Sequence, residues 1–370
     1  MTKRLVSLAF YTNQHGNVTS KFKGNNSIIS MASDRMQFRP ALQAAELAGL
    51  STEVYSLHGT APHDVISLGK ADICLVSKMS ANTKDLVQSM VVANLAALTL
   101  LKNEGAKIVV QHCDNLLSQD NTFNKRSDLN RFYKCLLSMA DAIIFPCNEL
   151  AKITDKQITS KASRTIICDP WQLKNSHPTK PLDLNKRCRV IWFGNTKNII
   201  YLIKCMENIV NTSPKHLNYL LTVVSSAESR RMMLAHLKSI KFTNSNWRVK
   251  FIIWDEKFKI SQLEDEISKA NISIIPSDPN DPIKSGVSHN RLVDSVRGGC
   301  ITLASPMESY KELDGLALLG DDFGKLLSKA IADYEHLCVK LEDHRDQRLS
   351  IFSPEYNLES WKSFWSDLMK

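Results

Sequence analysis

Residues 272–313 read "ISIIPSDPNDPIKSGVSHNRLVDSVRGGCITLASPMESYKEL". The run at 272–275 is short, continuous and apolar, and so is "CITL" at 300–303. Such runs with turn residues on both sides read as strands buried on both faces. Between them a lysine, a glycine and a serine lead into a short basic amphipathic helix that closes on Gly298 and Gly299. A helix start carries unpaired N–H groups and a partial positive charge, so this stretch expects an anion.

The same rhythm extends in both directions. Strand-like runs fall at 5–10, 52–57, 72–77, 107–111, 142–145 and 165–168, and again at 189–193, 219–224 and 248–253. Helical patterns such as "RPALQAAELAGL" and "KDLVQSMVVANLAALTLLKNEGA" separate the runs of the first half. Strands alternating with amphipathic helices mean a parallel sheet covered on both faces. A polar stretch at 171–187, "WQLKNSHPTKPLDLNKR", interrupts the pattern and reads as an interdomain linker.

The expected fold is therefore α/β, with two tandem Rossmann-like doubly wound domains and a cleft between the carboxyl ends of their sheets. The boundaries are 1–172, linker 173–187, 188–352 and a last helix at 353–370. That helix carries Leu358, Trp361, Phe364, Trp365 and Leu368 on one face, suited to crossing back onto the first domain.

Composition agrees with two packed cores: 370 residues, 43% apolar and 23% charged. The net charge of +9 favours anionic partners, but it is scattered and no nucleic-acid motif accompanies it, so no nucleic acid is expected. Nine cysteines, mostly inside apolar runs, read as reduced core residues with no metal-ligand spacing. The apolar run near the start is too short for a secretory signal, and no run reaches the roughly 18 residues of a membrane span. The cytoplasm is the expected compartment.

Four places carry candidate chemistry. Lys284 can place a point charge on phosphate, Ser288 can cap the helix, and N–H groups near His289, Asn290 and Arg291 can take a diphosphate. "RVIWFGNTKN" puts Gly194 and Asn195 directly after a strand with Lys197 opening the next helix, a turn through which backbone can approach phosphate. "VVQHCDN" sets His112 and Asp114 at a strand end on the cleft side, where either could meet a sugar hydroxyl. A polar loop at 10–27, holding Gly16 and Gly24, is a fourth candidate, with Asp34, Arg35 and Arg39 following it. Each equally suits an ordinary cap or turn. Neither glycine turn matches the dinucleotide or P-loop patterns.

Together these segments resemble the nucleotide-sugar glycosyltransferases of the two-domain GT-B fold, of the family 4 or "group 1" type. "SDRMQFRPALQAAELAGLSTEVYSL", "LLSMADAIIFPCNELAKIT", "TIICDPWQL" and "VIWFGNTKN" occur in that family's order, and 272–313 is the most specific match. The resemblance implies that Lys284, Ser288, Asn290 and Arg291 touch the donor diphosphate and that Asp294 contacts the ribose. Many relatives carry two glutamates eight positions apart, where this chain has Gly286 and Asp294.

The implied activity is transfer of a sugar, of the hexosyltransferase type, from a nucleoside diphosphate donor to an acceptor hydroxyl in glycan, polysaccharide or glycolipid synthesis. No cofactor or metal is implied. An inverting reaction would need a base, with Asp114 or His112 the candidate; a retaining one would not. A basic face could draw the chain to the inner surface of an anionic membrane bearing a lipid-linked acceptor. A nucleotide-sugar epimerase and a catalytically silent nucleotide or sugar binder remain open alternatives.

Overall fold

A computed structural model describes residues 2–9, 34–56, 70–77, 84–118, 127–182, 187–239, 246–254 and 259–370. The polar loop at 10–27 lies outside the described residues, as does 183–186 of the linker.

The first sheet holds β1 (Arg4–Ala9), β2 (Ser51–Ser56), β3 (Ile73–Val76), β4 (Lys107–Gln111), β5 (Ala142–Phe145) and β6 (Ser163–Ile166), in the order β2-β1-β3-β4-β5-β6. The second holds β7 (Arg187–Phe193), β8 (Asn218–Ser225), β9 (Trp247–Ile253), β10 (Ile272–Ile275), β11 (Ile301–Ala304) and β12 (Ala317–Leu319), in the order β12-β11-β10-β7-β8-β9. Every pairing is parallel. β3, β5, β10 and β11 are buried at all four positions, as their unbroken apolar runs require. The edge strand β12 has no counterpart in the sequence reading, because three residues are too few to show a pattern.

Helices cover both sheets: α1 (Arg39–Leu47), α2 (Lys84–Asn103), α3 (Ser127–Met139) and α4 (Asn148–Asp155) in the first half. The second half has α5 (Ile199–Thr212), α6 (Ala227–Ser239), α7 (Ile260–Ile267), α8 (Asn290–Arg297), α9 (Glu308–Lys311), α10 (Phe323–Ala332) and α11 (Tyr334–Leu349). A last helix, α12 (Pro354–Met369), begins at a Ser353 cap followed by proline. Its Trp361, Phe364 and Trp365 share a core with Leu5, Phe38 and Ala41 of the first domain. Trp365 Nε1 donates to the Ala41 carbonyl at 2.9 Å. Burying each of those rings contributes about 2–3 kcal/mol, which holds the end of the chain on the domain where it began.

The linker is bound more closely than its polar composition suggests. Leu173 is buried with Ile191 and Phe193, and Glu264 of α7 accepts from the Lys174 and Asn175 amides at 3.1 and 2.8 Å. Asn175 Nδ2 and His177 Nε2 complete the set on the same carboxylate, at 2.9 and 3.1 Å. A strand-free segment must find partners for its backbone, and one buried glutamate provides them. Residues 173–182 therefore travel with the second domain.

Candidate functional site

In the second sheet the strand order reverses between β7 and β10, and ligands of open α/β sheets bind outside the carboxyl ends at such a reversal. Gly194 follows β7 there. A Cβ at Gly194 would lie 3.1 Å from the Trp192 ring, tighter than most contacts, and 3.5 Å from Arg291 Nη1, so the backbone runs close between indole and guanidinium. Asn195 accepts from the Asn198 amide and shapes the short turn at 196–198. Asn198 Oδ1 in turn accepts from Lys284 Nζ at 2.7 Å. The Lys284 ammonium lies 5.7 Å from the centre of the Tyr201 ring, whose hydroxyl donates to Asp281 at 2.8 Å.

This corner is rich in cation. Burial, reinforced by Arg291, lowers the Lys284 pKa to about 8; Lys197 pushes the same way, while Asp114 and Asp281 oppose. The Arg291 charge acts on the buried Tyr310 hydroxyl, and its own buried Nη1 has no hydrogen-bond partner among the described residues. A buried guanidinium N–H without an acceptor is costly, and the natural remedy is an anion. Lys284, Arg291, Lys197 and the Gly194 turn are thus brought together.

The other predicted residues of α8 face elsewhere. Ser288 Oγ and Asn290 Nδ2 donate to Asp169 at 2.6 and 2.9 Å, and Gln37 Nε2 donates to the same carboxylate at 2.9 Å. Ser288 does not cap the helix: the residue at the cap is His289, with no side-chain cap bond. His289 Nε2 instead meets the Ser309 carbonyl at 2.7 Å and Glu312 at 3.6 Å. Asp294 is 1% exposed and accepts from the Gln172 amide and Gln172 Nε2 at 2.9 and 3.1 Å. Burial raises its pKa to about 6. Gln172 Oε1 also accepts from Arg35 at 2.6 Å, so Asp294 joins the two domains here and does not present its carboxylate to the cleft.

On the first domain, the His112 ring is 0% exposed, enclosed between Tyr133 and Phe145, and neither ring nitrogen has a partner among the described residues. Burial lowers its pKa to about 4, so it is neutral at pH 7 but sits behind the strand end instead of opening on the cleft. Asp114 is the half-buried member of the pair, and its charge acts on Lys284 from across the cleft. Asn115 Nδ2 donates to the Pro282 carbonyl at 2.9 Å, a direct bond between the walls.

Gly286 marks where the chain departs from its resemblance, and packing explains the departure. Its φ is +73°, and a Cβ would fall 2.8 Å from both Cα and Cβ of Leu150 on α4. The Gly286 carbonyl accepts from Cys147 Sγ at 3.4 Å. A glutamate at this position would have to displace the first domain. Glu312, on the same side, accepts from the Glu149 amide at the start of α4 at 3.2 Å.

Sequence reasoning passed over Asp169, Gln172, Asn198 and Tyr201. Asp169 stands in the quoted "TIICDPWQL", but its partners lie about 120 residues further along the chain, at separations of 119 and 121. Among the described residues no group of three or more His, Cys, Asp or Glu could hold a metal, and no helix is long and apolar enough to cross a membrane.

No family model matches the sequence, and no curated protein does. Solved structures do match over the whole length. The sucrose-phosphate synthase of Thermosynechococcus elongatus superposes with a TM-score of 0.71 at 12% identity, covering 99% of each chain. HepE of Anabaena, solved with UDP-glucose, gives 0.62 at 13% identity, covering 98% of this chain and 99% of its own. An α-glucosyltransferase solved with UDP-glucose and DNA containing an abasic site gives 0.56 at 9% identity, covering 100% of both. Two six-stranded parallel sheets, a cleft between them and a last helix crossing back give this chain the GT-B fold of those glycosyltransferases.

Proposed function

We propose that the chain transfers a sugar from a nucleoside diphosphate sugar, held by the second domain, to an acceptor hydroxyl presented from the side of the first. The observation that carries this reading is the buried, unpartnered Arg291 Nη1 beside Gly194, close enough to Lys284 to help lower that lysine's pKa. A nucleoside diphosphate brings the oxygens such a corner lacks. The fold neighbours that hold UDP-glucose support a uridine nucleotide as the first donor to test.

In transfer, the bond from the anomeric carbon to the diphosphate breaks as the acceptor oxygen attacks. Charge grows on the leaving phosphate, and preorganised donors aimed at it lower the barrier most. Arg291 Nη1 and Lys284 Nζ would fill that role, with Lys197 at the exposed rim. Asp114, half-buried opposite the cations, would take the acceptor proton if the anomeric centre inverts. Lys284, Arg291 and Lys197 would neutralise the diphosphate in place of a metal. A glycan or lipid-linked acceptor, reached at the inner face of a membrane, fits this arrangement.

A silent nucleotide binder is the second reading, favoured by one observation: Gly286 is filled against Leu150 where relatives carry a carboxylate. Incubation of the purified protein with UDP-glucose and an oligosaccharide acceptor separates the two. Release of UDP that depends on acceptor supports transfer. UDP-glucose binding without turnover, across a panel of acceptors and donor sugars, supports the binder.

A further inference from the structure

We propose that Asp169 is a positioning residue for the donor site: from the first domain it grips the start of α8 through Ser288 and Asn290, fixing the arrangement in which Lys284 and Arg291 face the Gly194 turn. The inference rests on the glycosyl-transfer reading for its consequence, but not for its geometry.

Asp169 lies at the end of the first domain, two residues beyond the hydrogen bond that Ile167 gives to Phe145. It is 3% exposed. Oδ2 accepts from Ser288 Oγ, Asn290 Nδ2 and Gln37 Nε2, at 2.6, 2.9 and 3.1 Å, and Oδ1 accepts from Gln37 at 2.9 Å. Two of the donors sit in the turn that opens α8, and the third is in the turn leading into α1. One carboxylate therefore ties three segments from both domains.

An acidic group at a helix start could instead be an internal stand-in for the ligand anion. The charges around it argue otherwise. The hydrogen bonds of Asp169 all come from neutral side chains, Ser288, Asn290 and Gln37, whereas the Lys284 ammonium is turned to Asn198 and the Tyr201 ring. Asp169 thus holds one side of the α8 turn while the cations gather on the other. Because Arg291 directly follows Asn290, loss of the grip would release the guanidinium from its register with Gly194.

The grip depends on acceptor atoms more than on charge. An asparagine could keep its oxygen on Ser288 and Asn290 and turn its amide toward Gln37. Gln37 Oε1 has no partner among the described residues, so a rotated Gln37 would accept that amide. Asp169→Asn should then preserve what Asp169→Ala loses.

The joint carries its own reporter. Cys147 is buried where the domains meet, with its thiol on the Gly286 carbonyl, while Cys74 is buried within the first sheet. Maleimide labelling mapped by mass spectrometry, on the full chain without ligand, compares the two. The expected result for Asp169→Ala is labelling of Cys147 at least about tenfold faster, with Cys74 unchanged and Asp169→Asn close to wild type. The double variant Ser288→Ala with Asn290→Ala, which leaves Asp169 in place, should reproduce the effect and add nothing to Asp169→Ala. UDP-glucose titration should show at least about fivefold weaker binding for Asp169→Ala and near-normal binding for Asp169→Asn. Unchanged Cys147 labelling, equal acceleration at Cys74, or opened Cys147 with unaltered UDP-glucose affinity would each overturn the proposal. Failure of wild type to bind UDP-glucose would count against the donor reading, and the labelling would still decide whether Asp169 holds the joint.

Discussion

Asn290 and Arg291 are neighbours in one helix start and both resemble phosphate ligands, yet the molecule uses them oppositely. Asn290 is satisfied internally by Asp169, together with Ser288, while Arg291 keeps a buried N–H with no acceptor among the described residues. One side of the turn is a domain joint and the other is the proposed anion seat. Residue type and motif position do not separate these roles. What separates them is whether the protein has already supplied the hydrogen-bond partner.

The sharpest way to break this comparison is to remove the open side alone. Lys284→Ala with Arg291→Ala should cost roughly 3–6 kcal/mol of UDP binding, at about 1.5–3 kcal/mol for each charged hydrogen bond. Titration calorimetry would then show no detectable heat, while the unfolding midpoint without ligand stays near that of wild type. A double variant that still binds UDP would place the seat elsewhere.

Gly286→Glu attacks the joint instead. A left-handed backbone costs a non-glycine residue about 1–2 kcal/mol, and contact with the Leu150 backbone adds to it, for roughly 2–4 kcal/mol overall. Urea unfolding should register that loss. An unchanged unfolding midpoint would show that the packing against Leu150 does not decide this position.

His112 offers the converse test, a buried group whose nitrogens are unpartnered but which faces no cluster of cations. Its folded pKa of about 4 lies below the ordinary 6.5, so the unfolded chain binds the proton first as pH falls. Stability should drop between pH 6.5 and 4, by up to ~3 kcal/mol. His112→Phe should remove that part of the acid sensitivity in parallel denaturation curves, and identical curves would contradict the burial argument.

A smaller effect belongs to Lys284. With its pKa lowered to about 8 by burial and by Arg291, the ammonium is lost on going from neutral pH to above 9. UDP affinity should fall about tenfold over that range, and Lys284→Arg should flatten the dependence. In the absence of ligand the sign reverses: the unfolded chain holds the proton to about 10.5, so this lysine makes stability rise with pH from about 8 upward. Least of all, Lys197→Ala, at an exposed position, should weaken UDP by no more than about 1 kcal/mol.

Much of the architecture could be read directly from the residues. Eleven of the strands were legible as strand-like runs, most plainly "AIIF" and "ISII", because a strand buried on both faces leaves little room for polar residues. The crossing helix was legible in the spacing of Trp361, Phe364 and Trp365. The site was legible only in part. A glycine after β7 and basic residues before α8 signal an anion through local chemistry. The commitment of Ser288, Asn290 and Asp294 to Asp169 and Gln172 depends on side chains more than 100 positions away, and nothing local announces it. Likewise, "QHCDN" gives no sign that one strand-end residue is sealed by Tyr133 while its neighbour reaches the cleft.

The most direct test is the structure of the complex with UDP. The division of α8 predicts phosphate oxygens within hydrogen-bond distance of Arg291 Nη1 and Lys284 Nζ beside Gly194, with Ser288 and Asn290 still on Asp169. Phosphate bound by Ser288 and Asn290, with Asp169 displaced, would contradict it.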